Sequence, residues 1–137
     1  MTLGHFGSSR AGTKPLAFYQ TCVLPNGSEI FAEVAIEPDE LTRGLMFREK
    51  LEPNEGMLFV HPATGHHSVW MRNMLMPLDV VWMSDTGVIV EIVTGATPCK
   101  SDECPSYGGT KLSAYTLELP AGSVKRNQLK TGDKIRW

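Results

Sequence analysis

Apolar and polar positions alternate with period two along much of this chain, the pattern of half-buried β-strands. Residues 18–24 and 29–36 form two such runs around Pro25-Asn26-Gly27-Ser28, whose Asn-Gly step signals a tight hairpin turn. In the second run Ile30, Ala32, Val34 and Ile36 alternate with Phe31, Glu33 and Ala35. Pro38-Asp39-Glu40 then predicts a short helix, with proline suited to its first turn and the acids to its positive end. Leu41 and Leu45 share a face, and Gly44 keeps that helix short. Residues 57–60, 68–71 and 78–83 read as further strands, and Ser84-Asp85-Thr86-Gly87 turns the last of them into residues 88–94. A loop rich in Pro, Cys, Asp and Gly covers 97–111. Tyr115, Leu117 and Leu119 then alternate with Ala114, Thr116 and Glu118, as in a strand with one buried face. Ser123 is placed to cap a short helix over 124–129, and residues 134–137 to close the sheet.

Eight or so short strands with few helices predict an α+β domain, predominantly antiparallel β. The expected sheet is curled or barrel-like, with one or two short helices. There is no βαβ rhythm, glycine-rich phosphate loop or internal repeat, which argues against a nucleotide-binding fold. Residues 1–17 are polar and Gly/Ser-rich, without the apolar core of a signal peptide, and read as a flexible leader. A single mostly-β domain follows over 18–137.

Composition narrows the partners. The 137 residues are 42% hydrophobic and 20% charged, as in ordinary globular chains. A net charge of −2 gives no electrostatic reason to expect nucleic acid or an anionic membrane as a partner. The densest basic run, Lys125-Arg126 with Lys130, Lys134 and Arg136, reads as a solvated face. No uninterrupted apolar run is long enough to predict a transmembrane helix.

Chemistry-bearing residues concentrate between Gly56 and Gly87, which hold five of the seven Met, three of the four His and two of the three Trp. Within the strand 78–83, Leu78, Val80 and Trp82 share one face and Asp79, Val81 and Met83 the other. Both faces are otherwise apolar, so the Asp79 carboxylate is expected to be desolvated and to require hydrogen bonds or a cation. Arg43, Arg72 and Asn73 are candidate partners. Asp79 then either pins backbone amides or an arginine, or faces a ligand. Trp70 and Asn73 offer an aromatic platform and a bidentate amide, equally suited to a ligand or to a core. His66 and His67, with Met71, Met74 and Met76, are a soft-ligand set that would select copper, against the plainer reading of the methionines as core fillers. Cys104 is the candidate nucleophile, although the five-residue spacing to Cys99 also permits a disulfide. Cys22, in an apolar strand, reads as a small buried hydrophobe, and without a paired CxxC motif no structural zinc site is expected. Asp85-Thr86-Gly87 copies an aspartic-protease tripeptide but sits where a hairpin turn is expected.

Several segments occur in a fixed order: Arg43-Gly44-Leu45-Met46, Gly56-Met57-Leu58-Phe59, Trp70-Met71-Arg72-Asn73, Pro77-Leu78-Asp79-Val80-Val81 and Cys104-Pro105-x-Tyr107, followed by Tyr115 to Gly122. Together they resemble domain-of-unknown-function family 192, also called uncharacterised protein family 0127, over about residues 29 to 137. The resemblance implies a small, mostly β bacterial or archaeal domain with no assigned activity, often exported or membrane-anchored. Met74 departs from the small polar residue usual after Asn73, and Cys99 is extra to the pattern, whereas Cys104 matches it.

The functional surface is therefore expected where Trp70, Asn73, Asp79 and the Cys104–Tyr107 loop converge. The reading is a small accessory module of the bacterial cell envelope that binds a small polar ligand or a protein partner. One alternative is a hydrolase-like enzyme using Asp79 or Cys104; another is a copper-handling protein using His66 and His67. No cofactor, metal or catalytic residue is assigned from the sequence.

Overall fold

The computed structural model describes residues 2–3 and 18–137. The rest of the expected leader lies outside the described residues. The strands are β1 (Thr2–Leu3), β2 (Phe18–Val23), β3 (Glu29–Ala35), β4 (Glu55–Gly65), β5 (Val69–Trp70), β6 (Leu78–Met83), β7 (Ile89–Ala96), β8 (Ser106–Tyr107) and β9 (Ser113–Pro120). The helices are α1 (Pro38–Arg43) and α2 (Ser123–Arg126). Seven strands form one curled, open sheet in the order β1-β2-β3-β4-β9-β6-β7, while β5 and β8 pair separately. Pairing is antiparallel throughout the large sheet except between β3 and β4, which run parallel across the α1 connection. The α+β, predominantly antiparallel class expected from the alternation is the observed one.

Local chemistry explains the punctuation. Gly27 turns the β2–β3 hairpin at φ 89°. At the start of α1, Glu40 reaches back to accept a 2.9 Å hydrogen bond from the Glu37 amide. Gly44 ends α1 with φ 48°, its amide donating to the Glu40 carbonyl at 2.8 Å. The C-terminal segment does not add a full strand; it makes single bridges through Arg136 to Val23 and through Lys134 to Val88. The expected strand 68–71 is only Val69–Trp70, and its partner β8 lies inside the segment read as a loop.

The central strands β9 and β6 carry apolar layers on both faces. One layer gathers Cys22, Ile30, Leu58, Val81, Met83, Leu117 and Leu119 with Leu129 and Ile135. The opposite layer gathers Met57, Phe59, Leu78, Val80 and Trp82 beneath Leu45, Met71, Met74 and Met76. All six residues of β6 are buried, as the two apolar faces of that strand predicted. The second layer is roofed by α1, its following turn, the β5–β8 ribbon and residues 71–76. A cleft opens where this roof meets the sheet.

Candidate functional site

The cleft has a volume of about 330 Å³, at the low end of the ~300–1,000 Å³ usual for small-molecule sites. Its floor is set by strand register. Glu118 lies opposite Met57 on β4 and Val80 on β6, and Thr116 opposite Phe59 and Trp82. Alternation along β9 therefore aims Thr116 and Glu118 at the roof, and the same alternation on β4 aims His61 there. Arg43 and Leu45 enter from α1 and its turn, and Ser68, Trp70, Arg72 and Ser106 from the β5 and β8 side.

The floor is polar yet uncharged at neutral pH. Glu118 is 6% exposed, and burial pushes its carboxyl up to about 8. Among the described residues this carboxyl has no hydrogen-bond or ion-pair partner. His61 Nε2 lies 2.7 Å from Thr116 Oγ1, and its ring stacks on His67 with centroids 3.7 Å apart. Burial first, then the nearby His67, holds the His61 imidazole down at about 4. A protonated carboxyl and a neutral imidazole thus share the floor. The rim is cationic. Arg72 lies over the Trp70 ring at 5.5 Å from its centroid, and only a long 3.5 Å contact ties it to exposed Asp102. Arg43 makes no ion pair among the described residues.

The residues expected to converge do so only in part. Trp70 lines the cleft at 44% exposure; it is an edge platform rather than core. Asn73 sits beside the roof with φ 59°, its side chain 3.9 Å from the Met46 sulfur and its carbonyl accepting from the Phe47 amide. Its short polar side chain suits that left-handed backbone. Tyr107 packs against the apolar layer beneath β8. Cys104 is joined to Cys99 in the disulfide that their spacing permits, so it is not a free thiol, and the alternative of a Cys104 nucleophile is corrected.

Asp79 is fully buried on the opposite face of the sheet and does not line the cleft. One oxygen accepts from the Gly95 amide at 2.9 Å; the other accepts from Gly122 at 3.0 Å and Val124 at 2.9 Å. Its partners are backbone amides, not Arg43, Arg72 or Asn73. This corrects the capping expectation too: Ser123 hydroxyl donates back to the Pro120 carbonyl, and Asp79 supplies the acceptor at the start of α2.

The copper set does not assemble as a cluster. His66 Nδ1 lies 2.9 Å from the Gly109 carbonyl and His67 Nε2 2.8 Å from the Ala63 carbonyl. Met71, Met74 and Met76 are buried in the apolar layer. Asp85-Thr86-Gly87 forms the turn expected of it, with the Gly87 amide donating to the Ser84 carbonyl. Glu118 and His61 are the site residues that sequence reasoning did not single out. Alternation alone gave Glu118 an outward face, and nothing local announced that a roof covers it.

Solved structures share this architecture. A Sinorhizobium meliloti protein proposed to be a transcription regulator is 32% identical with a TM-score of 0.75, covering 85% of this chain and 89% of its own. A Novosphingobium aromaticivorans protein of unknown function is 25% identical with a TM-score of 0.79, covering 96% and 99%. A UPF0127 protein of Thermococcus kodakarensis is 29% identical over 97 residues, 69% of this chain. The chain spans 57% of the length of that relative. The model of the uncharacterised family DUF192, "Uncharacterized ACR", matches residues 21–137, and the chain belongs to that family.

Proposed function

We propose that this protein is a binding module whose cleft takes a small organic anion with an apolar body. The observation that carries the reading is the pairing of two arginines, Arg43 and Arg72, with the aromatic face of Trp70 around one concave site. Guanidinium groups present a planar fork that matches a carboxylate. Leu41, Leu45, Phe59, Val69 and Met74 supply the apolar walls that a hydrocarbon portion requires. Asp79, Asn73 and Tyr107 support the site as scaffold: they fix α2, the turn under Met46 and the β5–β8 ribbon.

An exported or envelope setting fits the Cys99–Cys104 disulfide, since such bonds persist in oxidising compartments. The hydrolase and copper alternatives draw no support from the placement of Cys104, His66 and His67.

The test is a protein-observed NMR titration with a panel of short carboxylates and matched amines. Carboxylates bind and amines do not, and Arg43→Ala or Arg72→Ala weakens binding about fivefold to fiftyfold, the range expected when a charge-assisted hydrogen bond is lost. Equal binding of amines and carboxylates, or arginine variants without effect, overturns the reading.

A further inference from the structure

We propose that Glu118 is the specificity-determining residue of the cleft, its carboxyl donating a hydrogen bond to an uncharged oxygen acceptor on the inner end of the ligand. The inference rests on the anion-binding reading above and adds what the ligand carries at its other end. The chemical class is then a carboxylate with an apolar linker and an inner carbonyl oxygen.

The geometry points this way for three reasons. Glu118 sits on β9, an interior strand paired on both sides, so its backbone position is fixed by β4 and β6. The residue is buried, only 6% exposed, yet lines the cleft. No group among the described residues pairs with its carboxyl, which faces the cleft and is open there to water or to a ligand atom. A protonated carboxyl offers one O–H donor and remaining acceptor capacity. An acceptor on the ligand completes that donor, and an aliphatic group in the same place leaves it orphaned.

The charged and titratable groups around Glu118 are few. His61 on β4 is neutral at ordinary pH. Arg43 from α1 and Arg72 beyond β5 line the same cleft. Glu33, on the far side of β4, is tied to Arg48 in an ion pair. Between slightly acid and moderately alkaline pH, Glu118 is the cleft carboxyl that changes charge, because burial places it at about 8.

The experiment uses matched pairs of flexible probes. 4-Oxopentanoate, 5-oxohexanoate and 6-oxoheptanoate are compared with 4-methylpentanoate, 5-methylhexanoate and 6-methylheptanoate, which replace the carbonyl oxygen by a methyl group. Dissociation constants come from NMR titration at about pH 6 and about pH 9.5, either side of the Glu118 transition. At the lower pH the best oxo acid binds about tenfold more tightly than its methyl counterpart, the ratio expected for leaving a buried donor unpaired. The preference collapses at the higher pH and in Glu118→Met, and it survives in Glu118→Gln, whose amide still donates. Gln and Met retain the size of the side chain, and melting curves of both variants confirm folding. Equal affinities within every pair, with binding still dependent on Arg43, overturn this inference and leave the anion reading standing. Tighter binding of 4-aminopentanoate than of 4-oxopentanoate also overturns it, because that requires an ionised Glu118. If no member of either series binds, both readings fall.

Discussion

Replacing Glu118 by Gln should leave stability close to that of the wild type at low pH and make the variant the more stable protein above about pH 8. In the folded chain burial moves the carboxyl from an ordinary 4.5 to about 8. The native state therefore keeps a proton that the unfolded state releases across this window. Stability falls with rising pH wherever the native state binds more protons. The contribution of Glu118 is accordingly fully present below 4.5, is lost as pH climbs towards 8, and is flat above that. At about 1.4 kcal/mol per pH unit, the 3.5-unit window (8 − 4.5) corresponds to a loss on the order of 5 kcal/mol. That figure is a ceiling, because the cleft mouth admits water beside the charged form. His61 acts in the opposite sense. Its imidazole is held low, so its stabilising effect is lost as pH falls from 6.5 towards about 4. Subtracting the variant from the wild type cancels the histidine and isolates Glu118. Urea unfolding from pH 5 to 9 is the assay, with the slope m checked for constancy. The difference curve should descend by at least about 2 kcal/mol across the window and then level off. Parallel curves for the two proteins would mean that Glu118 is well hydrated, and the account of the cleft floor would fail.

Asp79→Ala removes the shared acceptor of the Gly95, Gly122 and Val124 amides and should cost about 2–4 kcal/mol in urea unfolding; a loss under ~1 kcal/mol contradicts its structural role. Gly108 has φ 63°, and a Cβ there would run into the Trp82 ring, so Gly108→Ala should lower Tm by well over 5 °C, corresponding to more than ~1 kcal/mol. Native alkylation should label no cysteine, since Cys22 is buried with its thiol pushed up to about 12 and the other two are bridged; unfolding should release one thiol, and added reductant all three. Reduction of the native protein should lower stability by about 2 kcal/mol, from the short loop the bridge closes, and an unchanged melting curve would contradict this.

The legible parts of the fold were those fixed by local patterns. Asn26-Gly27 and Ser84–Gly87 carry their turn chemistry in the sequence, as do the Pro38 start and Gly44 stop of α1. The two apolar faces of β6 announced a strand covered on both sides, and with it the desolvated Asp79. The alternation around Glu118 gives the strand but not its burial, because period two reports which face a residue occupies and not what lies over that face. The roof comes from residues 38–47 and 66–76, distant in sequence from β9, so only tertiary packing reveals it. For the same reason Asp79 found backbone amides of Gly95, Gly122 and Val124 rather than the arginines that looked complementary by charge. The sequence leaves Trp70 suited equally to a ligand or to a core; the structure puts it at the cleft with Arg43, Arg72 and Glu118 rather than with Asp79 and Cys104.

Where a small carboxylate binds decides whether the cleft is a site. The measurement is an amide chemical-shift map of the ¹⁵N-labelled protein with 5-oxohexanoate added. Saturable shifts are expected to cluster at Arg43, Leu45, Ser68, Trp70, Arg72 and Ser106. No saturable shifts, or shifts gathered instead around Tyr115, Arg136 and Trp137 at the separate cleft beside the Asp85–Gly87 turn, would contradict it.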